Sequence, residues 1–205
     1  MINLKKITNY IDDTVEIEEN VKIYPNSYIL GNTILKRGTK VYPNCVIVDA
    51  VIGENCEIKS SYIEKSEVDC NVKIGPFSNI RPGCKIGSGC KIGNFVEVKN
   101  SRIKANTKVA HLAYVGDCEI GENCNIGCGV IFANYNGKTK NKTVVGNNCF
   151  IGSNCNVIAP LNIADNCFIC AGTTLTKDTK AGDFVIGRAY EICKENKAFE
   201  YLNRN

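Results

Sequence analysis

Residues 68–98 read VDCNVKIGPFSNIRPGCKIGSGCKIGNFVEV, and an aliphatic residue occurs at every sixth position of this stretch. The repeating positions are Val68, Ile74, Ile80, Ile86, Ile92 and Val98. A period of six matches neither the 3.6-residue period of an α-helix nor the two-residue alternation of an ordinary β-strand. It is typical of a parallel β-helix, in which short strands separated by turns coil around a narrow apolar axis.

The same six-residue step extends over most of the 205-residue chain, with a few steps of five. The step is present from Ile17 to Ile47, from Ile103 to Phe132, and from Val145 to Leu175, where the series ends. Three hexapeptides make one three-sided coil, so about 27 of them predict an all-β, parallel β-helix of about nine coils. At roughly 4.8 Å per coil, the predicted prism is roughly 43 Å long.

The repeat divides the chain into three segments of one predicted domain. Residues 1–14 precede it and are expected to cap the open end of the prism. Residues 15–180 form the predicted β-helix. Residues 181–205 form a C-terminal tail, in which helix-forming residues with apolar side chains loosely on one side predict a short helix or arm against a neighbouring subunit.

The repeat is interrupted once, where the step between Phe132 and Val145 lengthens from six residues to thirteen. The inserted residues 133–143, ANYNGKTKNKT, are rich in Asn, Gly, Lys and Thr, so we expect a solvent-exposed loop at one corner. The loop is either a tolerated insertion, since long loops cost little in such a fold, or a substrate-binding loop. The residues around its base distinguish these possibilities.

Most of the 13 cysteines follow the repeat, and nine stand two residues before one of its aliphatic residues. Serine, threonine or alanine takes this place elsewhere, which indicates an inward position for a small side chain, and cysteine behaves as a small hydrophobe. The nine are Cys45, Cys56, Cys84, Cys90, Cys118, Cys124, Cys149, Cys155 and Cys167. Because the single histidine cannot complete a Cys/His site, we expect no bound metal.

So many free thiols predict a reducing compartment. The first residues, MINLKKITNYIDD, contain no apolar segment typical of a secretory signal, and no run approaches the length of a membrane span. We therefore expect a cytoplasmic protein without membrane contact. The formal net charge of +4 is modest and the basic residues are dispersed, which argues against nucleic-acid binding but permits a small anionic ligand.

Residues three steps apart stack in a three-sided coil, and this brings two cations to one corner. Arg81 directly follows a repeat aliphatic, and Lys99 follows the aliphatic three steps later, so we expect them roughly 4.8 Å apart. Like charges repel at that distance unless an anion lies between them, which predicts a phosphate or carboxylate site. Alternatively both point into water, with Glu64 relieving the repulsion. The inserted loop leaves from this corner, beside Tyr114.

A second column contains the only histidine, His111, which lies two residues after a repeat aliphatic. The corresponding residues of the next three coils are Cys128, Ser153 and Ala171, provided that the insertion does not change the phase. These small side chains predict a groove roughly 14 Å long, which suits a thin, extended ligand. A histidine between this groove and a cationic corner is a candidate catalytic base.

Several segments together resemble a known enzyme family. They read SNIRPG, IGNFVEVKN, TKVAHLAYVGD, EIGENCNIGCG, ANYNGKTKNKT, VVGNNCFIGS and ICAGTTLTKD, in order and over about half of the chain. They are similar to the C-terminal acetyltransferase domain of the bacterial bifunctional N-acetylglucosamine-1-phosphate uridyltransferase/glucosamine-1-phosphate N-acetyltransferase. The hexapeptide alone is shared by many acyltransferases, whereas the combination of EVK, H-L-x-Y-x-G-D and N-Y-x-G is far more specific.

The resemblance implies a left-handed β-helix, a homotrimer with active sites between neighbouring subunits, and acetyl transfer from acetyl-CoA to glucosamine 1-phosphate without a metal. It makes His111 the general base. The acceptor contacts that it implies are Arg81, Lys99, Tyr114, Asn125 and Lys140. The acetyl-CoA contacts that it implies are Asn134, Tyr135, Ser153, Ala171, Arg188 and the backbone at Cys128. An oxyanion would then accept a hydrogen bond from a backbone N–H near Cys128 or from the Asn134 amide.

The family's uridyltransferase domain, with its Gly-rich nucleotide loop, has no counterpart in this sequence, so uridylyl transfer is not assigned to it. Three alternatives stay open: another amino sugar or a nucleotide-linked amino sugar as acceptor; an acetylated Cys128 as covalent intermediate; and a non-catalytic β-helix subunit that partners a separate nucleotidyltransferase chain. A β-helix carbonic anhydrase would need three zinc-binding histidines and is not expected.

Overall fold

The structure, a computed structural model, describes residues 9–202. These residues form 29 short strands, all paired in parallel, and one short helix, α1 (Phe199–Leu202). Successive strands belong to successive sheets, so that the chain visits three sheets in turn and each coil contributes one strand to each sheet.

The strands are grouped here by sheet. The first sheet contains β1 (Tyr10–Ile11), β4 (Tyr28–Leu30), β7 (Val46–Val48), β10 (Tyr62–Glu64), β13 (Asn79–Ile80), β16 (Glu97–Lys99), β19 (Tyr114–Gly116), β22 (Ile131–Ala133), β25 (Asn156–Ile158) and β28 (Thr174–Leu175). The second contains β2 (Glu16–Ile17), β5 (Ile34–Leu35), β8 (Val51–Ile52), β11 (Glu67–Val68), β14 (Lys85–Ile86), β17 (Arg102–Ile103), β20 (Cys118–Ile120), β23 (Thr143–Val145) and β26 (Leu161–Ile163). The third contains β3 (Lys22–Ile23), β6 (Lys40–Val41), β9 (Glu57–Ile58), β12 (Lys73–Ile74), β15 (Lys91–Asn94), β18 (Lys108–His111), β21 (Asn125–Ile126), β24 (Phe150–Ile151), β27 (Phe168–Ile169) and β29 (Phe184–Val185).

The predicted fold class, a left-handed parallel β-helix, is confirmed. The three sheets contain ten, nine and ten strands, so the prism has about ten coils and not the predicted nine. The difference arises at the ends. Strand β1 lies in the segment predicted as a cap and pairs with β4, and β29 lies in the predicted tail and pairs with β27. Residues 1–8 of the predicted cap and residues 203–205 lie outside the described residues.

The repeat aliphatics form the core, as expected for side chains that alternate between the two faces of a strand. Ile80, Val98 and Val115 pair in register along the first sheet and are fully buried. The nine cysteines assigned to inward positions are all buried, which confirms their role in packing. Burial raises the pKa of Cys56 and of Cys90 to about 11, so these thiols are poor nucleophiles at neutral pH.

Past β29 the tail exposes most of its side chains, including Tyr190 and Ile192, and ends in the four-residue helix α1. A short helix was predicted here, and its docking against a neighbouring subunit stays a prediction. Within residues 9–202, no helix is long and apolar enough to cross a membrane. The cytoplasmic location likewise stays a prediction.

Candidate active site

The sequence-predicted residues gather at two corners of the prism. Arg81 and Lys99 follow or end strands of the first sheet, at the corner that leads to the second sheet, and the inserted loop leaves from the same corner between β22 and β23. His111 ends β18 in the third sheet, at the corner that leads into the first sheet. We call these places the cationic corner and the histidine corner.

At the cationic corner each cation has its own carboxylate. Arg81 Nη1 donates to Glu97 Oε1 at 2.8 Å, and Lys99 Nζ donates to Asp117 Oδ2 at 3.2 Å. The charge repulsion therefore does not require an anion between Arg81 and Lys99, and it is relieved by these two carboxylates and not by Glu64. The phosphate site itself stays a prediction. The two carboxylates offset the repulsion, because each lies on a strand or turn directly adjacent to its cation.

The Lys99–Asp117 pair is far less exposed than the other ion pairs among residues 9–202, with side-chain exposures of 16% and 12%. Asp117 also accepts hydrogen bonds from Asn100 Nδ2 at 2.6 Å and from Asn134 Nδ2 at 2.5 Å. Burial opposes its ionisation, but the contacts with Asn100, Lys99 and Asn134 hold the pKa of the carboxyl below its ordinary value. Asp117 is thus the centre of a half-buried polar network.

The loop is an ordered turn that begins in this network. Asn134 is buried, and its Nδ2 also donates to Tyr114 Oη at 3.3 Å. Both of its amide hydrogens are therefore engaged, and they are not free to bind an oxyanion in this state, in contrast to one of the two options considered from the sequence. Tyr135 is 61% exposed and forms an isolated antiparallel bridge with Lys140.

Lys140, on the returning side of the loop, lies within hydrogen-bonding reach of the Lys99 amine. The approach of the Lys99 amine lowers the pKa of Lys140. The same contact, with help from Asp117, raises the pKa of Lys99. A second basic residue of the loop, Lys142, is tied to the second sheet by an ion pair with Glu119 Oε2 at 2.7 Å. The loop therefore brings a second amine to the cationic corner.

At the histidine corner, His111 is exposed and its Nδ1 lies 2.5 Å from Asn94 Oδ1. Asn94 ends β15 and pairs in register with His111 across the third sheet. An amide oxygen can only accept, so Nδ1 carries the proton and Nε2 keeps its lone pair. Sequence reasoning missed Asn94. The column rule would have found it, because Asn94 lies two residues after Ile92 as His111 lies two residues after Val109.

The small residues above the histidine stand in one column. The core residues Ile126, Ile151 and Ile169 pair in register, and Cys128, Ser153 and Ala171 each follow two positions later. Cys128 is half-buried, and the other two are exposed. The backbone at this corner is tightly stacked, since a Cβ on Gly127 would lie 2.6 Å from Ser153 N.

Arg188 reaches back from the tail to the top of this column, where its Nη1 donates to Ala171 O at 2.8 Å. One coil above the histidine, the backbone N–H of Cys128 donates to no group within residues 9–202. Asn125, at the start of β21, is half-buried on the outer face of the third sheet. Tyr114 lies on β19 between the two corners.

The base and the cations lie on either side of one strand of the first sheet. Lys99 pairs with Gly116, which stands five positions after His111. Because Leu112 turns the chain with a φ of 49°, the backbone span between them is shorter than the roughly 16 Å of five extended residues.

No cluster of three or more His, Cys, Asp or Glu residues suited to a metal occurs within residues 9–202. Cys167 and Cys170 have the C-x-x-C spacing of many metal sites. The prediction from the sequence treated Cys167 only as an inward packing residue and overlooked this spacing. The thiol of Cys167 points to Lys180 O at 3.2 Å, inside the stack of coils.

Three comparisons with known proteins agree with this architecture. The profile of the bacterial transferase hexapeptide (six repeats) family matches residues 14–49, 65–100 and 142–177. The bifunctional protein GlmU of Clostridium novyi is 50% identical over 183 residues, which make up 89% of this chain and 40% of that protein. The GlmU of Clostridium acetobutylicum is 48% identical over 186 residues, which are 91% of this chain and 41% of that protein.

The chain thus spans about 40% of the length of these relatives. The resemblance to the acetyltransferase domain of such bifunctional proteins is confirmed. Among solved structures, an Arabidopsis UDP-N-acetylglucosamine acyltransferase superimposes with a TM-score of 0.52 and 20% identity, over 85% of this chain and 68% of that one. At that identity the similarity concerns the fold alone.

Proposed function

Because this chain belongs to the bacterial transferase hexapeptide family, we propose a group-transfer reaction for it. We propose that it transfers acetyl from acetyl-CoA to the amino group of glucosamine 1-phosphate. The product is N-acetylglucosamine 1-phosphate. The observation that carries the proposal is the histidine corner, where Asn94 holds Nδ1–H of His111 and leaves Nε2 available as a base beside a column of small side chains.

The reaction follows from this arrangement. His111 Nε2 removes a proton from the acceptor amine, whose lone pair attacks the thioester carbonyl carbon. The carbonyl electrons move to oxygen, and the resulting oxyanion can accept a hydrogen bond from the unoccupied N–H of Cys128. When the tetrahedral intermediate collapses, the C–S bond breaks and the thiolate of CoA takes the proton back from His111. Such a base contributes roughly 10²–10⁴ to the rate.

The cationic corner supplies the acceptor site of this proposal. Arg81, Lys99 and Lys140 would bind the phosphate, with Tyr114 and Asn125 as contacts of the sugar. A positioned phosphate orients the amine toward the base, which removes part of the entropic cost of bringing the reactants together. The proximity of two lysine amines favours a doubly charged anion over a neutral sugar, which supports a phosphorylated acceptor.

The donor would lie along the column above His111. Cys128, Ser153 and Ala171 leave room for a thin pantetheine chain, Arg188 stands at its top, and Tyr135 presents an exposed ring on the loop. Asn134, also a predicted acetyl-CoA contact, has both amide hydrogens engaged. Only its carbonyl oxygen remains for a ligand.

A homotrimer with active sites between subunits is part of the proposal. The separation of the two corners along one side of the prism supports it, because a neighbouring copy would place its own cationic corner beside this chain's histidine. A separate nucleotidyltransferase chain is a further possible partner, and no observation on residues 9–202 favours or opposes it.

The proposal is tested by mixing the protein with acetyl-CoA and glucosamine 1-phosphate and identifying the product by mass spectrometry. Thiol-reactive dyes are unsuitable, because 13 cysteines add background. We expect product from the native protein, a loss of roughly 10²–10⁴ in kcat for His111→Ala, and a raised acceptor KM for Lys99→Met. Lys73→Met is the control, since its amine lies 3.8 Å from Glu57 in the third sheet, away from the cationic corner.

Two results would contradict the proposal. Acetylation of an amino sugar without phosphate, in preference to glucosamine 1-phosphate, would exclude the proposed acceptor. Absence of acetyl-CoA binding by calorimetry would favour the non-catalytic β-helix subunit.

A further inference from the structure

We propose that Asp117 is the positioning residue of the acceptor-phosphate site, holding Lys99 and the base of the inserted loop in one network. The proposal rests on the proposed function, because it takes Lys99 and Lys140 as the phosphate-binding residues. Asp117 closes the motif HLAYVGD, and no role for it follows from the sequence alone.

The first argument compares two aspartates at the same corner. Asp49 and Asp117 both follow strands of the first sheet and adopt a positive φ, 48° and 52°. The Asp49 carboxylate caps the backbone, accepting from Asn32 N at 3.0 Å. The Asp117 carboxylate accepts no hydrogen bond from a backbone group among the described residues. Its hydrogen bonds come from the side chains of Lys99, Asn100 and Asn134. A structural cap would not need this arrangement.

The second argument is that Asp117 connects both ends of the loop to Lys99. Its carboxylate accepts from Asn134 at the start of the loop, and its carbonyl oxygen accepts from Thr143 N at the end, at 3.3 Å. Its own N–H donates to Lys99 O at 3.0 Å. The position of Lys140 relative to Lys99 is therefore fixed through one residue.

The third argument is that the side chains around Gly116 are closely packed. Gly116 precedes Asp117, and a Cβ there would lie 2.4 Å from Tyr114 Oη and 2.7 Å from Asn134 Nδ2. Polar groups that are paired in this way hold one arrangement, whereas removal of one partner leaves the others unsatisfied. We therefore assign Asp117 an action on the acceptor that runs through Lys99 and the loop.

The charges make a specific demand on this residue. Lys140 lines the same cavity as Asp117, the partner of Lys99, and Arg81 and Tyr114 are the other titratable groups near the two lysines. Two neighbouring ammonium groups repel each other, so one of them loses its proton more readily as pH rises. A carboxylate beside them stabilises the charged form and opposes that loss. Without Asp117 the pair should lose a proton at lower pH, and with it part of its attraction for phosphate.

The experiment measures binding of glucosamine 1-phosphate by calorimetry across pH, for the native protein, Asp117→Asn and the matched control Asp49→Asn. We expect Asp117→Asn to weaken binding about tenfold. The alkaline limb, that is, the fall of the binding constant at high pH, should begin about one pH unit lower than in the native protein. Asp49→Asn should leave both unchanged. An unchanged limb for Asp117→Asn, or an equal displacement for Asp49→Asn, would overturn the proposal.

Two further variants keep the test decisive. Asp117→Glu retains the charge, so the limb should stay where the native protein has it even if binding weakens, and this comparison remains if Asp117→Asn fails to fold. Combined with Lys99→Met, Asp117→Asn should cost less affinity than the sum of the two single losses, whereas fully additive losses would contradict an action through Lys99.

The outcome is separable from that of the proposed function. If the native protein does not bind glucosamine 1-phosphate, the proposed acceptor is wrong. The same variants are then titrated with inorganic phosphate, which probes Lys99 and Lys140 without the sugar. A displaced limb with phosphate supports the role of Asp117, and an undisturbed one overturns it.

Discussion

A single hydrogen bond, between His111 Nδ1 and Asn94 Oδ1, determines which ring nitrogen is free for proton transfer. Replacing Asn94 with leucine removes the acceptor and leaves the ring free to rotate and to change tautomer. We expect kcat to fall about tenfold to a hundredfold, less than the roughly 10²–10⁴ for loss of the base itself, with both KM values retained. Steady-state kinetics by product mass spectrometry measures this split.

The carboxylate variant at the same position gives the opposite kind of effect. Asn94→Asp places a negative charge beside the imidazole and stabilises its charged form. The uncharged base then forms only at higher pH, so the ascending limb of kcat/KM should move upward by about one pH unit. A limb that stays in place would mean that the ring is oriented by something else. In the His111→Ala background neither substitution should slow the reaction further.

Cys128 is the residue at which a covalent route would have to begin. It is half-buried in the column of small side chains, and its counterparts there, Ser153 and Ala171, show that the place requires small size and not a thiol. We expect Cys128→Ala to retain activity within about twofold, because direct transfer from acetyl-CoA uses only its backbone N–H. Intact-protein mass spectrometry after acetyl-CoA alone is the check, and a single acetyl adduct lost in Cys128→Ala would establish the covalent route.

At the scale of elements, the glycines that follow the core aliphatics set the spacing between coils. A Cβ on Gly152 would lie 2.4 Å from Ala171 N, whereas one on Gly137, in the loop, would meet nothing within 4 Å. We expect Gly152→Ala to lower the free energy of unfolding by at least about 1–3 kcal/mol, since the coils must separate. Gly137→Ala should cost only the strain of a positive φ, about 1–2 kcal/mol.

Chemical denaturation measures both variants. Gly152 also stands between Ile151 and Ser153, so a widened stack should weaken acetyl-CoA binding as well as stability. Equal destabilisation by the two substitutions would show that close approach between coils is not the reason for glycine here.

The strands could be predicted from the sequence because each hexapeptide contains one aliphatic residue that points into the core. Ile80, Val98 and Val115 could be placed in one column by counting, and counting also put His111 under Cys128 and Ser153. At the N-terminal end the same count reaches one strand further than predicted, because Ile11 stands six residues before Ile17. At the other end the count fails, because ten residues separate Leu175 from Val185, whose strand pairs with β27.

Side-chain partnerships were harder to predict than columns. Lys99 and Arg81 were correctly stacked, yet their partners Asp117 and Glu97 were not foreseen, because a corner side chain can turn toward either coil. Asp117 and Asp49 occupy equivalent corners and point to different partners. Which partner is chosen depends on the inserted loop, whose path no periodicity specifies.

For the whole molecule, the prism carries its base and its cations at different corners of one side. In the proposed homotrimer, one copy would contribute His111 and its neighbour Lys99. Every interface of a cyclic assembly is of the same head-to-tail kind, so each proposed site would draw on two chains. Two inactive variants should then complement each other.

We expect His111→Ala and Lys99→Met chains, co-expressed with different tags and purified through both, to regain activity that neither has alone. With random assembly about a quarter of the interfaces would pair an intact histidine with an intact lysine from the neighbour. The matched control co-expresses His111→Ala with Asn94→Leu. Both changes lie at the histidine corner, so no mixed interface contains a native corner, and the activity should not exceed the average of the two parents. Mixed trimers of His111→Ala and Lys99→Met that stay inactive would place His111 and Lys99 of each site on one chain.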